Sequence, residues 1–136
     1  MKRKLDLGII VFILPVLIVI IYGIFKVVSR NKKWDDNNLE KRYSTANIVD
    51  YKNHGKTGPP TFEYKFQFNN ENYNSVYLIV SKERSMPSKE LKKYIGKRFY
   101  VKFIVDYPQY SELLLDKPVP DSIVEAPDEG WFQLPE

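Results

Sequence analysis

"TFEYKFQFNNENYNSVYLIV", residues 61–80, decides the fold. In its first half Phe62, Tyr64, Phe66 and Phe68 alternate with Glu63, Lys65 and Gln67. Successive side chains of a strand point to opposite faces, so this spacing sets four rings on one face and the polar residues on the other. The polar run at 69–72 interrupts the pattern, and asparagine tolerates the positive φ that a tight turn needs. A second apolar run, residues 73–80, completes a hairpin.

The neighbouring segments extend this sheet. Upstream, "STANIVDYK" supplies a first strand at about 45–51, separated from the hairpin by "NHGKTGPP", whose Gly and Pro residues forbid regular structure. Between Ser85 and Gly96 the period changes: Pro87 suits a first helical turn, Leu91, Tyr94 and Ile95 share a face, and Gly96 stops the helix. "RFYVKFIV" then resumes alternation, with Phe99, Val101, Phe103 and Val105 opposed to Tyr100, Lys102 and Ile104. A break at "DYPQY" leads to a fifth short strand, "SELLLD", and residues 117–136 read as an extended, proline-rich tail. A sheet this small has to close or cover its edges. The predicted β region, 43–116, is therefore a small five-stranded antiparallel, partly closed barrel with one short helical insert.

The N-terminus is of another kind. The 19 residues 7–25, "LGIIVFILPVLIVIIYGIF", carry no charge; the run opens at Leu7 and is followed by Lys26, Val27 and Val28. At about 1.5 Å per residue, roughly 20 residues match the ~30 Å hydrocarbon core of a bilayer. Pro15 would break a soluble helix, but a spanning segment has no alternative backbone, so it predicts a kink. Lys26 can snorkel outward along its stem, and Trp34 suits the membrane interface. The competing reading is a cleaved signal peptide, suggested by the basic start "MKRK"; the apolar run is too long for one, and "YGIFKVVSRNKK" offers no small-residue cleavage site. The expected layout is a basic start and transmembrane helix over 1–30, a juxtamembrane stalk over 31–42, the β domain and the tail.

Charge follows the same division. The chain has 21 basic and 17 acidic residues and a pI of about 9.1. Lys2, Arg3, Lys4, Lys26, Arg30, Lys32 and Lys33 precede Trp34 with Asp6 as the one acid, which leaves 14 basic and 16 acidic residues from Asp35 on. The positive balance is thus juxtamembrane, placed to meet anionic lipid headgroups, and the β domain is slightly acidic. That weakens a nucleic-acid reading, because phosphate contacts supply most non-specific affinity. Basic residues are more numerous after the apolar run than before it, which by the positive-inside rule indicates a cytoplasmic domain. A short basic start before an apolar run is, however, the form of an uncleaved signal anchor, and the expected orientation follows it: domain exported, in the plasma (bacterial inner) membrane.

The order "TANIVDY", a Gly/Pro loop, "FEYKFQFNNENYNSVYLIV", a helical insert and "IGKRFYVKFIVDYPQYSELLL" resembles the membrane-attached bacterial β domains of the domain-of-unknown-function family numbered 3592. Thr45, Val49, Tyr64, Phe66, Tyr73, Gly96, Val101 and Pro108 occupy the places of its opening T-x-x-V strand, aromatic strand, turn and "G-x-x-V-x-V-x-Y-x-P" segment. Asn72 stands where a turn glycine is common, and Phe99 and Phe103 replace smaller residues. The resemblance covers about 43–115 and implies membrane attachment and a β domain, with no known reaction.

Candidate chemistry is sparse. With no cysteine the chain has no disulfide, thiolate zinc site or thiol nucleophile. His54 is the single histidine and falls in the Gly/Pro loop, without a second ligand or a positioned partner. Asp50 and Glu63 belong to separate elements, and the carboxylates of the stalk and tail lack the spacing of a calcium loop. No phosphate-loop, dinucleotide, nucleophile-elbow or zincin motif occurs. No catalytic, cofactor or metal site is therefore assigned.

The 20 aromatic residues, ten Tyr, eight Phe and two Trp, mostly fall at alternating strand positions, where they form a core. Those outside the alternation are Tyr107 and Tyr110 around Pro108, and Trp131 and Phe132 in the tail; these are candidate partner contacts, and the tail pair either presents itself to a partner or folds back onto the barrel edge. "GKRFYVKF", residues 96–103, partly matches an RNA-binding strand, but Tyr100 stands where Gly or Ala is required. The expected protein is a single-pass membrane-anchored interaction or structural module, with the lipid bilayer and another protein as partners and no nucleic acid. The alternatives are an immunity-type membrane protein, a nucleic-acid-binding small barrel and a tethered hydrolase.

Overall fold

The computed structural model describes residues 7–80 and 82–135. The basic start used above for charge and orientation, Lys2, Arg3, Lys4 and Asp6, lies outside them. Two compact units follow each other along the chain, one ending at Asn38 and one beginning at Leu39.

Helix α1 spans Leu7–Asp35 and runs through Pro15 as one element. None of its apolar window is buried, and Phe12, Val19 and Phe25 are 79%, 70% and 71% exposed. The helix is long and apolar enough to cross a membrane. Lys32 and Lys33 lie in its last turn, where cations favour the negative end of the helix dipole. The Asp36 carboxylate then accepts the Asn38 amide at 2.9 Å, a local bond that competes with further helix. The expected stalk is thereby shortened to residues 36–40, because the helix extends further into it and the first strand begins earlier.

The second unit is a five-stranded antiparallel sheet: β1 Lys41–Lys52, β2 Thr61–Phe68, β3 Glu71–Leu78, β4 Arg98–Ile104 and β5 Tyr107–Pro118, in the order β3-β2-β1-β4-β5. The β2–β3 connection is tighter than the four-residue turn expected. Phe68 pairs with Glu71, and Asn69 and Asn70 both adopt positive φ, 50° and 61°, as a type I′ turn requires. On β1 the register shifts between Ile48 and Asp50. This bulge keeps Ile48 and Tyr51 both inward, Tyr51 meeting the Phe62 ring at 5.9 Å, while the Asp50 carboxylate accepts the Tyr51 amide at 2.8 Å.

The sheet curls into a half-barrel around its inner face. β2 and β5 are separated in the sheet by two strands, yet the hydroxyls of Tyr64 and Ser111 are 2.8 Å apart. Phe103 of β4 meets Phe66 and Phe68 of β2 at 5.4 and 4.7 Å, again across β1. Phe62, Tyr64, Phe66, Phe68, Phe99, Val101 and Phe103 are all buried, as the period-two alternation predicts. The insert shuts one end of this core. It comprises a 3-10 turn at Lys82–Ser85, helix α2 at Ser88–Leu91 and a 3-10 turn at Lys92–Tyr94. Leu91 is buried, and Tyr94 stacks between Phe62 and Phe99 at 5.3 and 6.0 Å. Ile95, expected on the same face, is exposed instead. The insert ends in 3-10 geometry and Ile95 is already extended, at ψ 131°, before Gly96 turns the chain at φ +82°.

Two further expectations change. "DYPQY" is not a break: β5 starts at Tyr107, with register shifts against β4 accommodating Pro108 on an edge strand. Tyr100 and Ile104, expected on a solvent face opposite the core, are only 5% and 0% exposed. Tyr100 packs edge-on against Trp131 of the tail at 6.0 Å, so β4 is covered on both faces.

Candidate functional site

The tail is the main surface feature of the β domain, and a few groups fix it there. Val119 is buried, and its amide donates to the Arg98 carbonyl at 3.1 Å; the Arg98 guanidinium donates to the Val124 carbonyl at 2.7 Å. The Asn69 amide in the β2–β3 turn donates to the Asp128 carbonyl at 2.7 Å. Trp131 and Tyr43 exchange both backbone hydrogen bonds at 2.8 Å, forming an antiparallel bridge. β1 and β2 are paired only down to Ala46 and Phe66, so Trp131 takes the place beside Tyr43 that the end of β2 leaves open. Gly130 makes this approach possible. Its φ is +71°, and a Cβ there would fall 2.7 Å from the Tyr43 carbonyl oxygen and 3.3 Å from the Phe103 ring.

Arg42 secures the last turn. One guanidinium nitrogen donates to the Glu129 carbonyl at 2.8 Å, Nε donates to Glu40, and the group lies 4.2 Å from the centre of the Phe132 ring. Phe132 itself is 68% exposed. Neither Arg42 nor Arg98 carries a sequence signal, because an arginine that holds a distant carbonyl resembles any surface arginine. Gly130 after "PDE" could have been read as a turn glycine.

Between the tail and the outer face of β1 and β2 lies an open cleft of about 410 Å³, lined by Asn47, Lys65, Gln67, Arg98, Glu125 and Asp128 among others. A second depression of about 370 Å³ lies over Val49, Glu63, Lys65, Asn74 and Val76. Both are polar or shallow and neither gathers titratable groups into a catalytic arrangement. Among the described residues no three His, Asp or Glu side chains cluster as metal ligands would.

Of the residues a tethered hydrolase would need, Asp50 and Glu63 face each other across β1 and β2, but neither cleft is lined by both of them and His54. Glu63 pairs with Lys52, Asp50 binds the neighbouring amide, and His54 Nε2 lies 3.1 Å from the Thr61 hydroxyl. The Lys52 ammonium is held above its ordinary pKa, first by the hydrogen bond to Glu63 and then by that carboxylate's charge. Tyr73 is raised as well, by burial and then by its 3.0 Å bond to Glu71. Both shifts belong to structural pairs, Lys52 with Glu63 and Tyr73 with Glu71.

Of the residues singled out in the sequence, Leu7 begins α1, and Pro15, Lys26, Val28 and Trp34 lie along it. Tyr107 and Tyr110 are half-buried neighbours, 6.1 Å apart, at the start of β5. Trp131 is committed to Tyr43 and Tyr100, whereas Phe132 is exposed. In "GKRFYVKF" Phe99, Val101 and Phe103 lie in the core, so this strand offers no open stacking face for bases.

Comparison with protein-family models, with curated proteins and with solved structures finds no match.

Proposed function

We propose that this chain is a single-pass membrane protein in which α1 anchors a non-catalytic β half-barrel at the surface of a bacterial inner membrane. The observation that carries this reading is the exposure of α1 from Phe12 on: none of its apolar window is buried, and a run apolar all round belongs in lipid. The domain faces the extracytoplasmic side, in keeping with a short basic start before an apolar run.

The work of such a domain is binding. β3 and β5 are the edge strands; they approach each other as the sheet curls, and a partner protein can add a strand where an edge stays open. Val76 and Leu78 are exposed on the outer face of β3, with Val76 beside Val49 of the bulge. A fusion of an export-dependent reporter enzyme to Glu136 tests the side: activity is expected, and a fusion active only as a cytoplasmic reporter reverses the orientation. Photo-crosslinking from the edge-strand position Asn74 in native membranes tests the binding, with a discrete cross-linked product expected; its absence there removes β3 as the partner edge.

A further inference from the structure

The half-barrel has two dissimilar ends. At one lie the 53–60 loop and the helical insert. At the other, β1 begins: Lys41 pairs with Ile104, Ile104 pairs with Tyr107, and Tyr43 bridges to Trp131. This second, proximal end gathers the aromatic side chains that the core does not absorb. Phe132 is exposed beneath Arg42, and the Tyr107 and Tyr110 rings adjoin each other half-buried. Tyrosine, with an apolar body and a polar tip, suits the headgroup layer of a bilayer, and an exposed phenylalanine gains from leaving water there.

Covalent geometry keeps this end within reach of that layer: α1 runs about ten residues, ~15 Å, past its apolar run before ending at Asp35. Residues 36–40 separate Asp35 of α1 from Lys41 of β1, and a fully extended chain covers at most about 20 Å over that stretch. The far end is a further ~35 Å away along the 12 residues of β1. Tethering makes the contact intramolecular, so a small apolar patch suffices where free binding would need a large one. The patch is in fact small: one phenylalanine and two partly covered tyrosines fall far short of the roughly 800 Å² that each partner buries in a stable protein complex. Lys41, Arg42 and Lys102 share this end with Glu40, Asp106 and Glu129, so charge does not select the surface.

From these observations we infer that the proximal end of the half-barrel, through Phe132, Tyr107 and Tyr110, rests on the lipid headgroup layer. The inference depends on α1 being the membrane anchor, and the experiment separates the two. The chain has no cysteine, so one introduced cysteine gives one labelled site. Full-length protein in phosphatidylcholine nanodiscs carries a fluorophore at Gln133→Cys or Gln109→Cys for the proximal end, Lys56→Cys for the far loop, or Val19→Cys within α1. Lipid bearing a nitroxide near the headgroup is expected to quench the two proximal labels at least twofold more than the Lys56→Cys label. The triple change Phe132→Ser, Tyr107→Ser and Tyr110→Ser is expected to abolish that difference. If a nitroxide at the bilayer centre quenches Val19→Cys while all three domain labels respond alike, the anchor stands and the docking inference falls. If Val19→Cys is not quenched, both fall.

Discussion

In α1, Phe12, Val19 and Phe25 stand in the open, whereas in the half-barrel Phe62, Val101 and Phe103 are wholly buried. The same residue types obey different solvents. In β2 every second side chain is polar, so curling the sheet removes one face from water and leaves the other wetted. The run 7–25 of α1 has no polar face to be wetted, and only a medium as apolar as the side chains satisfies it. Membrane attachment and barrel stability should therefore be separable by mutation.

The largest effect is expected in the helix. Charged residues at the centre of a spanning helix cost about 2.5 to 3.5 kcal/mol each on insertion scales. Leu17→Lys with Ile20→Lys should thus release the chain from the membrane fraction, while circular dichroism of the released protein still shows the β-domain melt. Retention in the membrane would break the comparison from the helical side. The reverse case is Phe103→Ala. Phe103 is fully buried against Phe66 and Phe68, and truncating such a ring costs about 3 to 5 kcal/mol. The barrel should melt at markedly lower temperature with membrane attachment unchanged.

Smaller changes sharpen the picture of the tail. Gly130→Ala forces a Cβ against the Tyr43 carbonyl at a positive φ, a strain of about 1 to 3 kcal/mol. Trp131 should lose its seat beside Tyr100, read as a red shift in tryptophan emission in a Trp34→Phe background; an unshifted spectrum would mean that the tail is not held there. Least of all, Tyr100→Phe should leave stability unchanged or slightly raised, by up to about 1 kcal/mol, because its phenol oxygen is buried without a hydrogen-bond partner and removing it relieves a desolvation cost. A clear loss of stability in a thermal melt would give that hydroxyl a role the geometry does not show.

The legible parts of this chain are those with a period. Phe62 to Phe68 and Phe99 to Phe103 announce their strands because each alternation spells out one buried face, and residues 7–25 announce the helix by length without charge. Partial closure followed from the small size of the sheet, and of the strand order only the β2–β3 hairpin was legible. What escaped was set by contacts far apart in sequence. Tyr100 and Ile104 have outward parity, and nothing in β4 reveals that the tail returns to cover that face. Pro108 looked like a strand break, although an edge strand has no need of its missing amide. The half-bulge at Val49 was likewise invisible, since one unpaired residue leaves no mark on composition. For the candidate contacts, the aromatic residues could be named, but only the strand registers reveal that Tyr107, Tyr110 and Phe132 belong to the end where β1 begins.

Alkaline carbonate extraction of membranes from cells producing the full chain tests most directly whether α1 crosses a membrane and stays attached to the domain. The intact protein should remain in the pellet and be released only by detergent. Recovery in the carbonate supernatant, whether intact or shortened at its N-terminus, would contradict a spanning, attached α1.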